Sequence, residues 1–139
     1  MLKTLVAMVL ALLVSPAWGH HSYAMFDGSK TLTVSGTFAK LEWANPHVFI
    51  WVYVPNAKAP TGYDLYGFST ASVNVLSRNG WNPNVFKAGE KVTINYWPLR
   101  DGRTGGQLNK AVHADGSVTW GIGGPNGGVK PAGESPSEK

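Results

Sequence analysis

The sequence contains no cysteine among its 139 residues. This absence excludes a disulfide framework, a thiolate metal site, a cysteine nucleophile and a lipid attached to a lipobox cysteine. A small domain without such supports depends on its hydrophobic core for stability. With 43% hydrophobic and 12% aromatic residues, the chain has the composition to form one, and its length suits one domain.

Charge is also scarce, because only 14% of the residues are charged and the formal net charge is +4. The basic residues are scattered, and only Arg100 and Arg103 lie close together in a turn. Nucleic-acid binding needs clustered Lys and Arg, so no nucleic-acid partner is predicted. No G-x-S-x-G elbow, phosphate loop, zinc-ligand spacing or evident carboxylate pair occurs, so we expect a binding protein rather than an enzyme.

Residues 1–19 have the pattern of a signal peptide. Lys3 supplies the positive charge, Leu5 to Val14 is the apolar run, and Ala17 and Gly19 are the small residues before the cleavage site. The run is short for a membrane span, so we expect no stable membrane insertion after cleavage and a periplasmic or secreted location. Cleavage after Ala17 and an uncleaved N-terminal anchor are the alternatives.

The stretch from Trp43 to Val54 has the strongest pattern in the chain. Asn45-Pro46 predicts a turn, because proline excludes the helical conformation from the residue before it. A strand with a period of two follows over His47 to Val54. One face carries Val48, Ile50, Val52 and Val54, and the other carries His47, Phe49, Trp51 and Tyr53.

The aromatic face of this strand is either a stacking surface or a second buried layer. We expect the N-terminal arm, which carries Tyr23 and Phe26, to cover it. If it is open, Trp43, Phe49 and Trp51 are candidate ligand-binding residues, because aromatic rings stack on sugars or bases.

The remaining pattern predicts three strands, one helix and two strands. A phase slip predicts a bulge near Ala39-Lys40, and Ser69-Thr70 is the candidate N-cap of the helix, with Gly80 as its stop. This order is that of the OB-fold, so we predict an all-β, small five-stranded OB-like Greek-key barrel over residues 20–120. An antiparallel sandwich is the alternative, and residues 121–139 are predicted to be a disordered tail. The predicted elements are strands at Thr31–Trp43, His47–Val54, Tyr63–Phe68, Lys91–Trp97 and Leu108–Ala114, a helix at Ala71–Asn79 and a short edge at Ser117–Trp120.

Histidines at the expected mature N-terminus suggest copper. If cleavage follows Gly19, the α-amine and the imidazole of His20 chelate one metal ion, and imidazole suits copper. His20, His21 and His47 are therefore the candidate metal ligands, and Met25 is a soft donor for Cu(I). A copper redox enzyme would also need an open coordination position. The alternative is an unstructured His-His end.

Both His47 and His113 also have interpretations that involve no metal. His47 could be structural, with its ring hydrogen-bonded across the turn to Asn45. His113 shares a strand face with polar residues, so we expect it on the surface.

The Gly-rich segment Arg100 to Gly106 is predicted to be a mobile turn. Arg100 and Arg103 are candidate ligand-binding residues, because two guanidinium groups can clamp a carboxylate or phosphate. The alternative is ordinary turn chemistry. The leading prediction is a copper-binding protein; the alternative is a metal-free module in which this loop and the aromatic face bind an anionic or sugar-like ligand or a protein.

Four blocks of the sequence resemble a known family. They are His20-His21-Ser22-Tyr23-Ala24-Met25-Phe26-Asp27, Trp43-Ala44-Asn45-Pro46-His47, Arg78-Asn79-Gly80-Trp81 and Pro98-Leu99-Arg100-Asp101-Gly102. In this order they are similar to an uncharacterised exported bacterial family, classed as a domain of unknown function. The resemblance implies a small periplasmic β-domain and supplies no activity.

The chain departs from that pattern at two positions. The family often has histidine before the Pro-Leu-Arg-Asp-Gly block, where this chain has Trp97, and glutamate after the third strand, where it has Ser69. If relatives hold a metal with those residues, the resemblance implies a site that is altered or lost here. His113 is the candidate substitute ligand.

Overall fold

Five strands of the chain close into a barrel. The structure is a computed structural model, and it describes residues 23–121. The signal-peptide, His20, His21 and tail predictions therefore lie outside the described residues, apart from Gly121 at the start of the predicted tail. In chain order, the elements are β1 (Leu32–Glu42), β2 (Phe49–Pro55), β3 (Tyr63–Ser69), α1 (Val73–Arg78), β4 (Lys91–Pro98), β5 (Gly105–His113) and β6 (Val118–Trp120).

The sheet order is β3-β2-β1-β4-β5-β6, and all of these neighbours are antiparallel. A parallel pairing between β3 and β5 closes the ring, and β6 adds an outer edge. The predicted OB-like barrel with its helix between β3 and β4 is confirmed, and the sandwich alternative is excluded because the sheet closes on itself. Within the described range, no helix has the length and apolarity needed to cross a bilayer.

Strand β1 serves two neighbours and bends between them. Its first half pairs with β4 and its second half with β2, with a register shift between Phe38 and Lys40. The predicted bulge is therefore confirmed. A slip of one residue moves side chains to the other face, which places both Phe38 and Leu41 on the core side. Gly36 allows the strands to approach closely, because a Cβ there would lie 2.4 Å from the carbonyl oxygen of Tyr53.

The β-branched face of β2 forms the centre of the core, as predicted. Val48, Ile50 and Val52 have no exposed surface. Removing such side chains from water stabilises the fold by about 1.5–3 kcal/mol each. Helix α1 and the segment after it add Leu76 and Trp81 to the same core cluster.

The helix is capped by a residue from a distant part of the chain. Ser72 occupies the N-cap position, but its side chain makes no capping bond; the backbone N–H of Val73 donates instead to Asn45 Oδ1, at 3.1 Å. The prediction that Ser69-Thr70 caps the helix is wrong, because β3 runs through Ser69 and the hydroxyl of Thr70 donates inward to the carbonyl of Val48. The predicted stop at Gly80, where φ is +83°, is confirmed.

Barrel closure depends on bare backbone. Gly105 and Gly106 pair with Gly67 and Phe68, so the prediction that a mobile turn extends to Gly106 is wrong. A Cβ on Gly105 would lie 2.1 Å from the carbonyl oxygen of Gly67, and one on Gly106 would lie 2.0 Å from that of Trp97. The strands can approach this closely only because these residues lack side chains.

The N-terminal arm lies along the end of β4. Phe26 forms a β-bridge with Leu99, and the N–H of Asp27 donates to the carbonyl of Pro98 at 2.8 Å. The expectation that the arm covers the whole aromatic stripe is wrong, because its backbone bonds run to β4 and the loop after it, and Tyr53 stays exposed.

We predict that Gly105→Ala lowers the free energy of unfolding by at least about 3 kcal/mol, because the new methyl group would overlap the carbonyl oxygen of Gly67 across the β3–β5 seam, in addition to the backbone strain at a φ of +102°. Urea unfolding measures the loss. The matched control is Gly89→Ala, because Gly89 has a φ of +73° and open space around its Cβ position. This variant should lose only the stability of about 1–2 kcal/mol that the strained backbone conformation costs. Equal losses in the two variants would show that close packing at the β3–β5 seam is not what closes the barrel.

We also predict that the arm contributes an acid-sensitive part of the stability. Hydrogen bonds from the Ser29 hydroxyl, then from the Lys30 ammonium, lower the pKa of Asp27 from 3.8 to about 2. Because the folded pKa lies below the unfolded one, this stability is complete above the ordinary pKa of 3.8 and is lost as the pH falls through about 2.

The carboxyl carbon of Asp27 should therefore titrate by NMR with a midpoint near 2, and Ser29→Ala should move that midpoint towards 3.8. The difference in melting temperature between the native protein and Asp27→Asn should shrink between pH 4 and pH 2. A native midpoint at the ordinary value would contradict the bonded arrangement of Asp27 and Ser29.

Candidate functional site

Outward-facing side chains of β2 and β3 form a continuous apolar surface. We call this surface the aromatic face and define it as Phe49, Trp51, Tyr53, Tyr63 and Leu65. Trp51 lies opposite Gly67, Tyr53 opposite Leu65, and Tyr63 opposite Pro55. The rings contact each other in two pairs: Phe49 and Trp51 stack with centroids 6.2 Å apart, and Tyr53 and Tyr63 meet edge to face at 4.5 Å.

The position of the Trp51 ring is set by a missing side chain. A Cβ on Gly67 would lie 2.8 Å from the indole, so the ring rests directly on the glycine backbone. On the neighbouring strand β1, the ammonium of Lys40 lies 5.4 Å from the centroid of the Trp51 ring, a distance typical of a cation–π contact. The indole is thus held between two strands.

The indole N–H of Trp51 is buried and makes no hydrogen bond of acceptable geometry. The Glu42 carboxylate is the acidic group beside it: Lys40 first, and the Trp51 indole second, hold the pKa of Glu42 below its usual range. The N–H therefore points towards negative charge without completing a bond. Such a donor is uncommon in folded proteins.

Exposure increases along the aromatic face. Phe49 and Trp51 are half-buried near the start of β2, whereas Tyr53, Tyr63 and Leu65 are 39%, 41% and 43% exposed. The hydroxyl of Thr104, in the β4–β5 loop (residues 99–104), donates to the carbonyl of Leu65 at 3.4 Å, and the β1–β2 loop (residues 43–48) leads directly into Phe49. The strand 2–3 surface is where OB barrels bind ligands.

The predicted ligand-binding arginines are engaged within the protein. Arg103 forms an ion pair of 2.8 Å with Asp101 in the same turn. The hydrogen bond from the backbone N–H of Arg103 is the first cause of the low pKa of Asp101. Arg100 donates from Nε to the carbonyl of Ala24, and from its backbone N–H to the carbonyl of Met25. These contacts correspond to the turn-chemistry alternative, with Arg100 holding the arm in place.

Trp43, the remaining predicted ligand-binding residue, is half-buried and packs against the core. It lies in the β1–β2 loop, beside the face rather than on it. Its position suits support of the loop.

His47 has a fixed ring orientation. Its Nδ1 lies 2.9 Å from the carbonyl oxygen of Thr70, so Nδ1 carries the proton and donates. The structural alternative was right in kind, but the bond partner is Thr70 rather than Asn45, whose side chain caps the helix. In the neutral ring, Nε2 then keeps its lone pair, which is the arrangement that orients metal-binding histidines.

The other predicted metal ligands, His20 and His21, lie outside the described residues. Met25 is half exposed beside Arg100. Within residues 23–121, no three His, Asp or Glu side chains come together closely enough to hold a metal ion. The described contacts of His47 and of the arm do not join them into one site.

His113 is mostly buried and hydrogen-bonded rather than a plain surface residue, so that expectation is wrong. Its side chain is 9% exposed; Nδ1 lies 3.1 Å from a carboxylate oxygen of Glu90, and Nε2 lies 2.7 Å from the hydroxyl of Thr119. The ring also stacks on Phe86, with centroids 4.9 Å apart. Glu90 and Phe86 precede β4 and Thr119 lies on β6, so these partners were not visible from the strand pattern of β5.

The two departures from the family pattern lie in one cross-strand row. Trp97 pairs with Gln107, and Gln107 pairs with Ser69. The buried side-chain amide of Gln107 donates to the carbonyl of Ser69 at 2.6 Å. This buried amide therefore has a hydrogen-bond partner within the row. His113 lies six residues along β5 from Gln107, about 20 Å at the rise of a strand. It therefore cannot replace a ligand in this row.

Sequence reasoning missed Tyr63 and Leu65 as part of the face. The signal was present, because a period of two over β3 places Tyr63, Leu65 and Gly67 on one side. The pairing of β2 with β3 then joins that side to Trp51 and Tyr53.

Comparison with known proteins places the chain in a family. No curated protein and no solved structure matches the sequence. The model of a family described as "Family of unknown function (DUF6152)" matches residues 8–110, which is 103 of the 139 residues. The prediction of an uncharacterised family is confirmed: the chain belongs to the family of unknown function DUF6152.

Proposed function

We propose that the protein is an exported binding protein that holds its ligand on the aromatic face. The observation that carries this proposal is the exposure of Tyr53, Tyr63 and Leu65, each about 40% exposed and adjacent in the strand register. A contiguous exposed apolar patch is uncommon on a small soluble domain and usually marks an interaction site.

The rigidity of the surface supports the proposal. Tyr53 and Leu65 project from paired strands, and the alternate residues of β2, Ile50 and Val52, are fully buried beneath them. A ligand that stacks on these rings therefore orders few side chains, which lowers the entropic cost of binding. The outer surface of strands 2 and 3 is also the ligand surface of OB barrels, as an analogy of fold.

The proposal of export rests on the signal-peptide pattern of residues 1–19. The periplasm is the proposed location.

The first test is an NMR titration of the ¹⁵N-labelled protein with neutral hexasaccharides and with octathymidylate. We expect at least one probe to shift the indole N–H signal of Trp51 and the backbone amides of Leu65 and Gly67. The Tyr53→Ala, Tyr63→Ala double variant should lose at least tenfold in affinity, because each stacked ring contributes about 1–3 kcal/mol.

The matched control is Trp120→Ala. Trp120 is 40% exposed but lies on β6, away from the aromatic face. This variant should bind with unchanged affinity, and in the native protein the Trp120 indole signal should stay in place. Shifts that survive the tyrosine double variant would contradict the proposed site.

A second candidate function, copper binding, is favoured by one observation. The backbone carbonyl of Thr70 fixes the proton of His47 on Nδ1, which leaves Nε2 as the coordinating nitrogen. We propose that His47 is the third histidine ligand of an ion held by His20 and His21. His20 and His21 lie outside the described residues, so their support comes from the sequence alone.

The test for copper begins with the mass of the exported protein, which shows whether His20 is its first residue. We then expect tight one-to-one Cu(II) binding by calorimetry and a nitrogen-rich EPR spectrum. His47→Phe should weaken the binding at least tenfold, because it removes Nε2 and keeps an aromatic ring in the loop.

His113→Phe is the control, because His113 belongs to the buried cluster with Glu90 and should not affect copper binding. Binding no tighter than that of a free His-His peptide, or unaffected by His47→Phe, would contradict the copper proposal.

A further inference from the structure

We infer that the ligand of the aromatic face is an uncharged oligosaccharide segment. This inference rests on the proposed function of the face and adds its chemical class. It depends on three observations: the exposed tyrosine pair, the pairing of two cations beside the face with carboxylates, and the length of the surface.

The tyrosine pair provides a platform for sugar rings. Tyr53 and Tyr63 meet edge to face at 4.5 Å, so their ring planes differ by 64° and they present two apolar surfaces. A pyranose has an apolar face of C–H groups and a rim of hydroxyls, so it can cover an aromatic ring while its hydroxyls stay hydrated. The exposed side chain of Leu65 extends the platform.

Two of the cations beside the face are each paired with a carboxylate. Lys40 is bonded to Glu42 on the β1 side, and Arg103 is paired with Asp101 in the β4–β5 loop. Each cation therefore adjoins a carboxylate, which repels a phosphate or uronate. Both carboxylates are ionised at neutral pH, as ordinary Glu and Asp side chains are.

Two other cations adjoin the surface without forming a phosphate track. Lys91 donates to the hydroxyl of Thr37, which lies opposite Tyr53, and Lys58 lies in the β2–β3 loop. Affinity for nucleic acid depends on several Lys or Arg contacts along the backbone. The face therefore suits a neutral chain better than a polyanion.

Polar groups suited to hydroxyls border the rings. The Lys40–Glu42 pair offers a donor and an acceptor next to Trp51, and Thr104 lies beside Leu65. From Phe49 to Pro55 the surface extends about 20 Å along β2 at the rise of a strand. That length accommodates several sugar rings, so the inferred ligand is a chain rather than a monosaccharide.

The experiment uses the full exported protein and six probes in calorimetry and NMR. The neutral probes are cellohexaose, xylohexaose, maltohexaose and hexa-N-acetylchitohexaose, and the charged probes are hexagalacturonate and octathymidylate. We expect at least one neutral probe to bind, with affinity that changes less than twofold between 20 and 500 mM NaCl. We expect no binding of the charged probes at 150 mM NaCl.

Single variants locate the contact. Tyr53→Ala and Tyr63→Ala should each weaken the neutral probe at least tenfold, whereas Tyr53→Phe and Tyr63→Phe should stay within threefold because stacking needs only the ring. Trp120→Ala should leave binding unchanged. A comparable loss in Trp120→Ala, or none in the tyrosine variants, would overturn the assignment to this face.

The outcomes separate this inference from the proposed function. Tight, salt-sensitive binding of a charged probe that is lost in Tyr53→Ala would overturn the neutral-sugar inference and keep the aromatic face as a binding site. Binding of none of the six probes would overturn the inference; the face itself would then have failed its first test as well.

Discussion

The parallel pairing of β3 with β5 is the contact on which the barrel depends. It joins two strands that are far apart in sequence, and it passes through Gly67, Gly105 and Gly106. Parallel strands cannot be joined by a tight turn, so no hairpin holds this seam. It is held by the strand pairing and by the bond from the Gln107 amide to the carbonyl of Ser69. At Gly105 the backbone also adopts a φ of +102°, which residues with side chains rarely do. Closure of the barrel therefore depends on a few glycine residues.

The same seam shapes the aromatic face. Gly67 pairs with Gly105 on one side and lies under the Trp51 ring on the other. A side chain at Gly67 would disturb both the closure and the position of the indole. Closure of the barrel and the position of the Trp51 ring therefore depend on the same glycine.

Patterns in the sequence predicted the structural features that neighbouring residues determine. The alternation around Ile50, the phase slip near Lys40 and the stop at Gly80 each depend on neighbours in sequence, and the structure agrees with all three. Contacts between distant segments were not predictable in this way. Asn45 lies 28 residues before Val73, whose N–H it accepts, and the Glu90 carboxylate that bonds the His113 ring lies in the turn before β4. A side chain's partner across the chain is set by topology, which periodicity does not encode.

The β1–β2 loop shows how the two proposed activities relate in space. Its backbone continues the β2–β3 ladder, since the N–H of Val48 donates to the carbonyl of Ala71, and the His47 ring is fixed by the adjacent Thr70. His47 and Tyr53 are six residues apart, which is about 20 Å along an extended chain. A metal ion at His47 and a ring stacked on Tyr53 would therefore lie far apart, and the stacked rings of Phe49 and Trp51 lie along β2 between them.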